Sequence, residues 1–444
     1  MKKQIIFLFA LIFLTCPLYA EIIGRNRINL TIDNAIRIAL DQNKSIQMQK
    51  AEINYARGNR LYALSRFLPK ANVNYDYTYR EAVLATESLP DHRKDTRIFT
   101  DYESDNMFSI TAKEEFFDGG ASIANYKQAE LELTSQKETL RATILEVEFQ
   151  TRRLFYGLLL AYETRRIALD LVEQAREHYE RVEMLYGQGT TSRFDVLQSK
   201  VQVARLIPQL VNAENAIKLT KVEIKKLLDL DISFDVHAIG KLAFRPMEIN
   251  EENFLLEAYE HRPEMRLKTL GVDIEKWGIE FAKSTGLPQV SGDFAYSAKS
   301  DDVADMVNKR HDNWAIGLST SIAIFDGFST AAKINEARAK YAHARLDRED
   351  YMKQIEVDVE SACLNMGEAE AIINAQKDSI IEAKESLRLS EVRFDTGVGI
   401  NLDVFDAQVA LAEIEQSLAQ AVYDYIMAKA DLEKVMGREF FKEE

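Results

Sequence analysis

The chain contains an internal duplication, and this repeat constrains the possible fold more than any other feature. Phe117-Asp118-Gly119 recurs 208 positions later as Phe325-Asp326-Gly327, and Phe194-Asp195-Val196-Leu197 recurs at the same displacement as Leu402-Asp403-Val404-Phe405. Such a repeat indicates that one supersecondary unit occurs twice. The predicted boundaries are 21–230 for the first repeat, 231–250 for the inter-repeat connection and 251–444 for the second repeat.

The amino terminus is typical of a secretory signal peptide. Two lysines precede the apolar run Ile5–Leu14, and a cleavage site follows at Ala20. We therefore predict a signal peptide over residues 1–20. The residues before Cys16 do not form the usual lipoprotein motif, and whether Cys16 is ever acylated stays open. Cleavage would remove Cys16, so that Cys363 has no intramolecular disulfide partner.

Four segments of about ten residues show the alternation of a strand with one apolar and one polar face. In the first, Val73, Tyr75 and Tyr77 alternate with Asn74 and Asp76. The predicted strands cover about 70–80, 106–117, 288–298 and 313–325. A charged, irregular loop is expected over 81–105. A soluble antiparallel sheet would show the same alternation, but this strand length also suits a tilted strand crossing a bilayer.

Two very long helices are predicted at about 120–186 and 329–394, each directly after a strand pair and each without an internal proline. Apolar residues at spacings of three and four indicate coiled-coil packing. A further helix is predicted from Thr31 to about Arg66. An ordinary coiled-coil rod is the alternative for these helices, but each long helix continues from a strand pair, which favours a tube.

The predicted fold is mainly α with a small β part, in a duplicated helix-strand-strand-long helix-helix order. Once the signal peptide is removed, no apolar run is long enough for a membrane-spanning helix, so insertion would have to use strands. Four strands cannot close a barrel, and lipid does not tolerate open sheet edges. Three chains would supply twelve strands and leave a lumen. We therefore expect a trimeric 12-stranded transmembrane β-barrel, continued by a periplasmic α-helical coiled-coil barrel.

Composition and motifs argue against nucleic-acid binding and catalysis. The formal net charge is -15, which disfavours a nucleic-acid partner. The six histidines are scattered and form no metal or catalytic grouping, and no phosphate-binding loop is present. We expect no enzymatic activity, no cofactor and no metal.

The motifs resemble the outer membrane efflux proteins, the TolC-like family, over nearly the whole mature chain. The matching segments are Ala39-Leu40-Asp41-Gln42-Asn43, Arg262-Pro263-Glu264-Met265, Leu-Pro before each first strand, Phe-Asp-Gly after each second strand, and the run from Gly397 to Ala407. The resemblance implies a homotrimeric exit duct in the outer membrane for efflux or type I secretion. It also implies contact with outer-membrane lipid, a periplasmic adaptor, and an inner-membrane pump or secretion ATPase.

The resemblance also assigns roles to residues at the helical turns. Asp403 and Asp406 match the carboxylates that line the periplasmic entrance, although both could simply be solvated acids at a helix start. In the gate region Asp195 is retained, but its expected partners are replaced by Phe394 and Gly399. Arg193 is a candidate substitute partner. The adaptor-contact tips correspond to Gly189, Thr190, Gly397 and Val398.

The alternative function is a periplasmic coiled-coil adaptor or scaffold without a pore, which would share the signal peptide and the helical hairpins. Adaptors have one helical hairpin flanked by small β domains, whereas the pattern of this chain predicts duplicated helical bundles and amphipathic strands. The exported substrate and the particular pump and adaptor cannot be read from the sequence.

Overall fold

A computed structural model describes residues 27–84, 99–300 and 312–438, and the predicted signal peptide lies outside them. The chain forms two compact units. The helical unit contains the described residues up to Lys50, Thr139–Met265 and the residues from Tyr351 onward, and the sheet unit contains Ala51–Glu138 and Arg266–Asp350. The boundaries between the units fall inside helices.

The two repeats have the same order of major elements. The first contains β1 (Arg27–Leu30), α1 (Ile32–Gln42), α2 (Lys44–Leu64), β2 (Lys70–Leu84), β3 (Phe99–Phe117), α3 (Ala121–Gly187) and α4 (Arg193–Leu227). The second contains β4 (Asp235–Ala238), α5 (Glu251–His261), α6 (Pro263–Ser284), β5 (Gln289–Ser300), β6 (Asp312–Ser321), α7 (Ser329–Asp395) and α8 (Asn401–Val435). α3 and α7 each contain 67 residues, as expected of a duplication.

The helix predicted from Thr31 to Arg66 is two helices, because Asn43 interrupts it. Thr31 caps α1 as predicted, with its hydroxyl accepting from the amide of Asn34 at 3.4 Å. Asn43 leaves the helical conformation. Its side-chain oxygen accepts from the backbone amide of Ser45, and its side-chain nitrogen donates to the carbonyl of Leu227. An asparagine side chain that bonds to the backbone favours such a helix boundary over a helix interior.

The predicted inter-repeat connection at 231–250 contains a strand that the sequence did not reveal. β4 pairs in parallel with β1, with Ile28 opposite Val236 and Leu30 opposite Ala238. These side chains enter the core of the helical unit, where Val236 and Leu30 pack with Phe155. Four-residue strands show too little alternation to be recognised, and their pairing joins distant parts of the sequence.

The four longer strands form one antiparallel sheet in the order β2-β3-β5-β6. Its register places apolar residues in cross-strand rows: Val73, Ile110, Tyr296 and Trp314 in one, and Ala71, Ala112, Phe294 and Ile316 in another. The intervening row contains Asn72, Thr111, Ala295 and Ala315. Directly opposed residues share a face of the sheet, so one face is apolar and aromatic while the other is small and polar.

The strand boundaries differ from the prediction by four or more residues at three ends. β2 and β3 extend into the expected loop at 81–105, because backbone pairing continues to Leu84 opposite Phe99. β6 ends at Ser321 instead of 325, because Ser321 pairs with Gln289, the first residue of β5. No helix within 27–84, 99–300 and 312–438 combines the length and hydropathy needed to cross a membrane.

Candidate functional site at the two helical turns

The turn between α3 and α4 and the turn between α7 and α8 have the same backbone geometry. Gly189 and Gly397 have φ angles of 76° and 74°, which a residue with a Cβ rarely adopts. In each turn the following amide reaches back to the end of the preceding helix: Thr190 donates to the carbonyl of Leu185 at 3.0 Å, and Val398 donates to that of Arg393 at 2.9 Å. The glycine therefore ends each long helix and lets the chain reverse.

Asp195 forms a capping box with Ser192, the N-cap of α4. Its carboxylate accepts from the amide and hydroxyl of Ser192 and from the hydroxyl of Thr191, and its own amide donates to Ser192 Oγ at 3.2 Å. Burial acts to raise the pKa of Asp195, but the bonds from Ser192 and Thr191 outweigh it and lower the pKa. Arg193, the predicted partner of Asp195, is exposed, and the two hydroxyl-bearing residues hold the carboxylate instead.

Phe394 and Gly399 contribute packing to the second turn. Phe394 belongs to a buried apolar cluster with Val182 and Val404. The amide of Gly399 donates to the carbonyl of Arg393 at 2.8 Å, and a Cβ at Gly399 would come within 3.0 Å of the amide nitrogen of Phe394. A larger residue would crowd the end of α7, so Gly399 allows the chain to pass close to that helix.

A buried polar cluster that has no signal in the sequence joins the two turns. His178 on α3 lies within hydrogen-bond distance of Oδ1 of Asn401, the first residue of α8. The amide nitrogen of Asn401 donates to Ser199 Oγ and to the side-chain oxygen of Gln198, both on α4 and both at 3.2 Å. His178, Ser199 and Asn401 are at most 4% exposed. No local motif marks this cluster, because Asn401 lies more than 200 positions from both His178 and Ser199.

Ion pairs on the surface connect the same helices. Arg181 on α3 lies 3.2 Å from a carboxylate oxygen of Asp395 at the end of α7. Further along, Glu415 on α8 lies 3.3 Å from Arg166 of α3 and 3.7 Å from Lys384 of α7. Most of these side chains are substantially exposed, so each pair contributes at most about 1 kcal/mol.

Asp403 and Asp406 lie in the first turns of α8. The amide of Asp403 donates to the carbonyl of Ile400 at 3.1 Å, and its side chain is half-buried. Asp406 is exposed and lines a groove with Phe194, Leu197 and other residues of α4. Their spacing of three residues places both carboxylates on neighbouring positions of one helix face.

Among the residues that the structure describes, no three His, Cys, Asp or Glu side chains lie close enough to hold a metal ion. The chemistry available at the turns is therefore that of carboxylates, hydrogen-bonded amides, one buried imidazole and apolar packing. Such a set can bind cations weakly or hold two helices together.

Comparison with known proteins identifies the family. Residues 35–229 and 255–438 match the family model of the outer membrane efflux protein. The chain is 22% identical to the alkaline protease secretion protein AprF of Pseudomonas aeruginosa, covering 88% of this chain and 81% of AprF. It is also 22% identical to the outer membrane protein TolC of Vibrio cholerae, covering 70% of each.

Solved channel structures share the fold. The CmeC outer membrane channel of Campylobacter jejuni superposes with a TM-score of 0.80 at 17% identity, covering 91% of this chain and 85% of CmeC. CusC superposes with a TM-score of 0.79 at 16% identity, covering 91% and 92%. At these identities the likeness concerns the fold, and the roles of individual side chains require separate arguments.

Proposed function

This chain belongs to the outer membrane efflux protein family, and we propose that it is one subunit of a passive exit channel for efflux or type I secretion. The family match covers parts of both repeats, and relatives include proteins named for protease secretion and for solvent efflux. The coiled-coil adaptor, the alternative considered from the sequence, receives no support from these matches.

The two-faced sheet is the observation that carries this proposal. Trp314, Ile316 and Leu318 on β6 are between 67% and 74% exposed, although they are large and apolar. Exposing so many adjacent apolar side chains to water is unfavourable, whereas contact with lipid would stabilise them. The opposite face carries Asn72, Ser109 and Ser297, which suit an aqueous lumen.

The edges of the sheet support a proposal for how subunits assemble. Its outer strands are β2 and β6, so each presents backbone groups at one edge. In lipid such groups need partners, and pairing β6 of one copy with β2 of the next would supply them. Three copies would give twelve strands and a water-filled lumen, which makes a homotrimer the proposed assembly.

The helical turns form the proposed periplasmic entrance. Three copies of Asp403 and Asp406 would place six carboxylates around one axis, which would favour cations. Gly189, Thr190, Gly397 and Val398 lie at the two turns and form the proposed contact with a periplasmic adaptor. The adaptor would in turn connect the channel to an inner-membrane pump or secretion ATPase.

Fractionation and mass measurement test this proposal. The protein would be expressed with its own amino terminus, extracted from separated inner and outer membranes in mild detergent, and its oligomeric mass measured by light scattering. We expect a trimer in the outer-membrane fraction. A monomer in the periplasmic fraction would contradict the proposed channel and favour a scaffold.

A further inference from the structure

His178 is a buried titratable side chain that the proposed channel function does not otherwise use. It is 4% exposed, and its Nε2 lies 2.5 Å from Oδ1 of Asn401. Two phenyl rings enclose it, that of Phe394 with its centroid at 4.9 Å and that of Phe405 at 5.1 Å. A phenylalanine at 394 therefore covers the imidazole, although it cannot itself form a polar bond.

Asn401 connects this imidazole to a third helix. Its amide donates to Ser199 and Gln198 on α4, while its carbonyl oxygen faces His178 on α3. The residue before it, Ile400, supplies no side-chain cap to α8. The start of α8 is consequently held to α3 and α4 through one buried asparagine, and through the apolar contacts around it.

We infer that His178 and Asn401 fasten the start of α8 to α3 and α4 and keep the entrance closed, and that protonation of His178 loosens this fastening. The inference rests on the proposed function, in which these turns form the entrance. It assigns to His178 and Asn401 the positioning role that Phe394 and Gly399 cannot perform through polar bonds.

The surroundings of His178 disfavour a positive charge. Arg181 on the same helix brings a guanidinium nearby. Asp395 of α7, whose carboxylate favours the charged imidazole, is already paired with Arg181 at 3.2 Å. α4 contributes Ser199, and the carboxylate of Asp195 in its capping box is bonded to Thr191 and Ser192. α8 contributes Asn401 and the ring of Phe405.

Burial lowers the pKa of His178 below its ordinary 6.5, the bond to Asn401 opposes this effect, Arg181 reinforces it, and Asp395 opposes it more weakly. Because the closed form binds the proton less readily than the loosened form does, acid favours the loosened form. At pH 5.5, one unit below the ordinary pKa, the shift toward the loosened form is at most about tenfold per subunit.

The test is planar-bilayer recording at pH 7.5 and 5.5 of the full-length wild type and three variants. We expect the open probability of the wild type to rise at pH 5.5 by up to about tenfold per subunit. His178→Gln keeps a neutral donor at either pH and should remove this rise. His261→Gln, at an exposed histidine on α5, is the matched control and should retain it.

Asn401→Ala should raise the open probability already at pH 7.5 and reduce its change with pH, which keeps the inference testable if His178→Gln does not fold. An unchanged pH response in His178→Gln, together with an unchanged open probability in Asn401→Ala, would overturn the inference while leaving the channel intact. Failure of the wild type to form channels at either pH would overturn the proposed function as well.

Discussion

If one face of the sheet contacts lipid, the effect of a new arginine on membrane insertion should depend on the face that carries it. β6 contains ten residues and spans about 33 Å, so a tilt of about 40° gives a height of about 25 Å, equal to the apolar band of such proteins. Ile316 lies near the middle of β6 and is 74% exposed. Ile316→Arg therefore places a charge close to the bilayer midplane.

The expected cost of Ile316→Arg is about 2–4 kcal/mol per chain, a decrease of about 30- to 900-fold in the equilibrium for membrane insertion. Ala315→Arg is the matched control. Ala315 is the adjacent residue and is also exposed, but it lies on the polar face, where its cross-strand partner is Ala295. An arginine there would face the lumen and should leave insertion close to wild type.

The assay is reversible urea unfolding of the purified protein in lipid vesicles. It is followed by the fluorescence of the two tryptophans, Trp277 and Trp314, and by heat-dependent gel mobility. We expect a large loss of unfolding free energy for Ile316→Arg and a small one for Ala315→Arg. Equal losses in both variants, or a larger loss for Ala315→Arg, would refute the assignment of the two faces.

Three further predictions concern the helical unit. Replacing Asp403 and Asp406 together by Asn should reduce the cation preference of the channel, because the entrance loses its charge; an unchanged reversal potential in a KCl gradient would place these residues away from the conduction path. Asp195→Ala should lower stability by about 1 kcal/mol, because the amide of Ser192, the N-cap of α4, loses its acceptor in the capping box. Hydrogen bonds lower the pKa of Asp195, so this contribution to stability is complete above pH 3.8, the ordinary pKa, and is lost as the pH falls through the lower pKa of the folded state. The melting temperatures of the wild type and the variant should therefore differ at pH 7 and converge in acid. A difference that stays constant with pH would contradict this. Tyr425→Phe should cost about 1 kcal/mol in urea unfolding, because the amide of Met247 loses its acceptor, and no loss would show that water replaces it.

Much of the fold could be predicted because its elements are long and strongly periodic. The alternation from Ala71 to Tyr79 and the apolar spacing along α3 and α7 each extend over enough residues to distinguish strand from helix. β4 and the break at Asn43 could not be predicted, since both depend on partners remote in sequence: β4 on β1, and Asn43 on the carbonyl of Leu227.

The site divides in the same way. The resemblance indicated Gly189 and Gly397 as residues of the helical turns, and both glycines have the positive φ that such a turn requires. The pairing of His178 with Asn401 joins positions 223 residues apart and leaves no such signal. Arg193 was the candidate partner of Asp195, whereas the structure bonds this carboxylate to Ser192. A serine three residues before an acidic residue is a common N-cap pattern, so this pairing could have been predicted.

The most direct test of the channel is the current carried by the purified protein in a planar bilayer at pH 7.5 and 5.5. The account predicts discrete conductance steps with a preference for cations. A correctly folded, membrane-inserted oligomer that carries no current at either pH would contradict it.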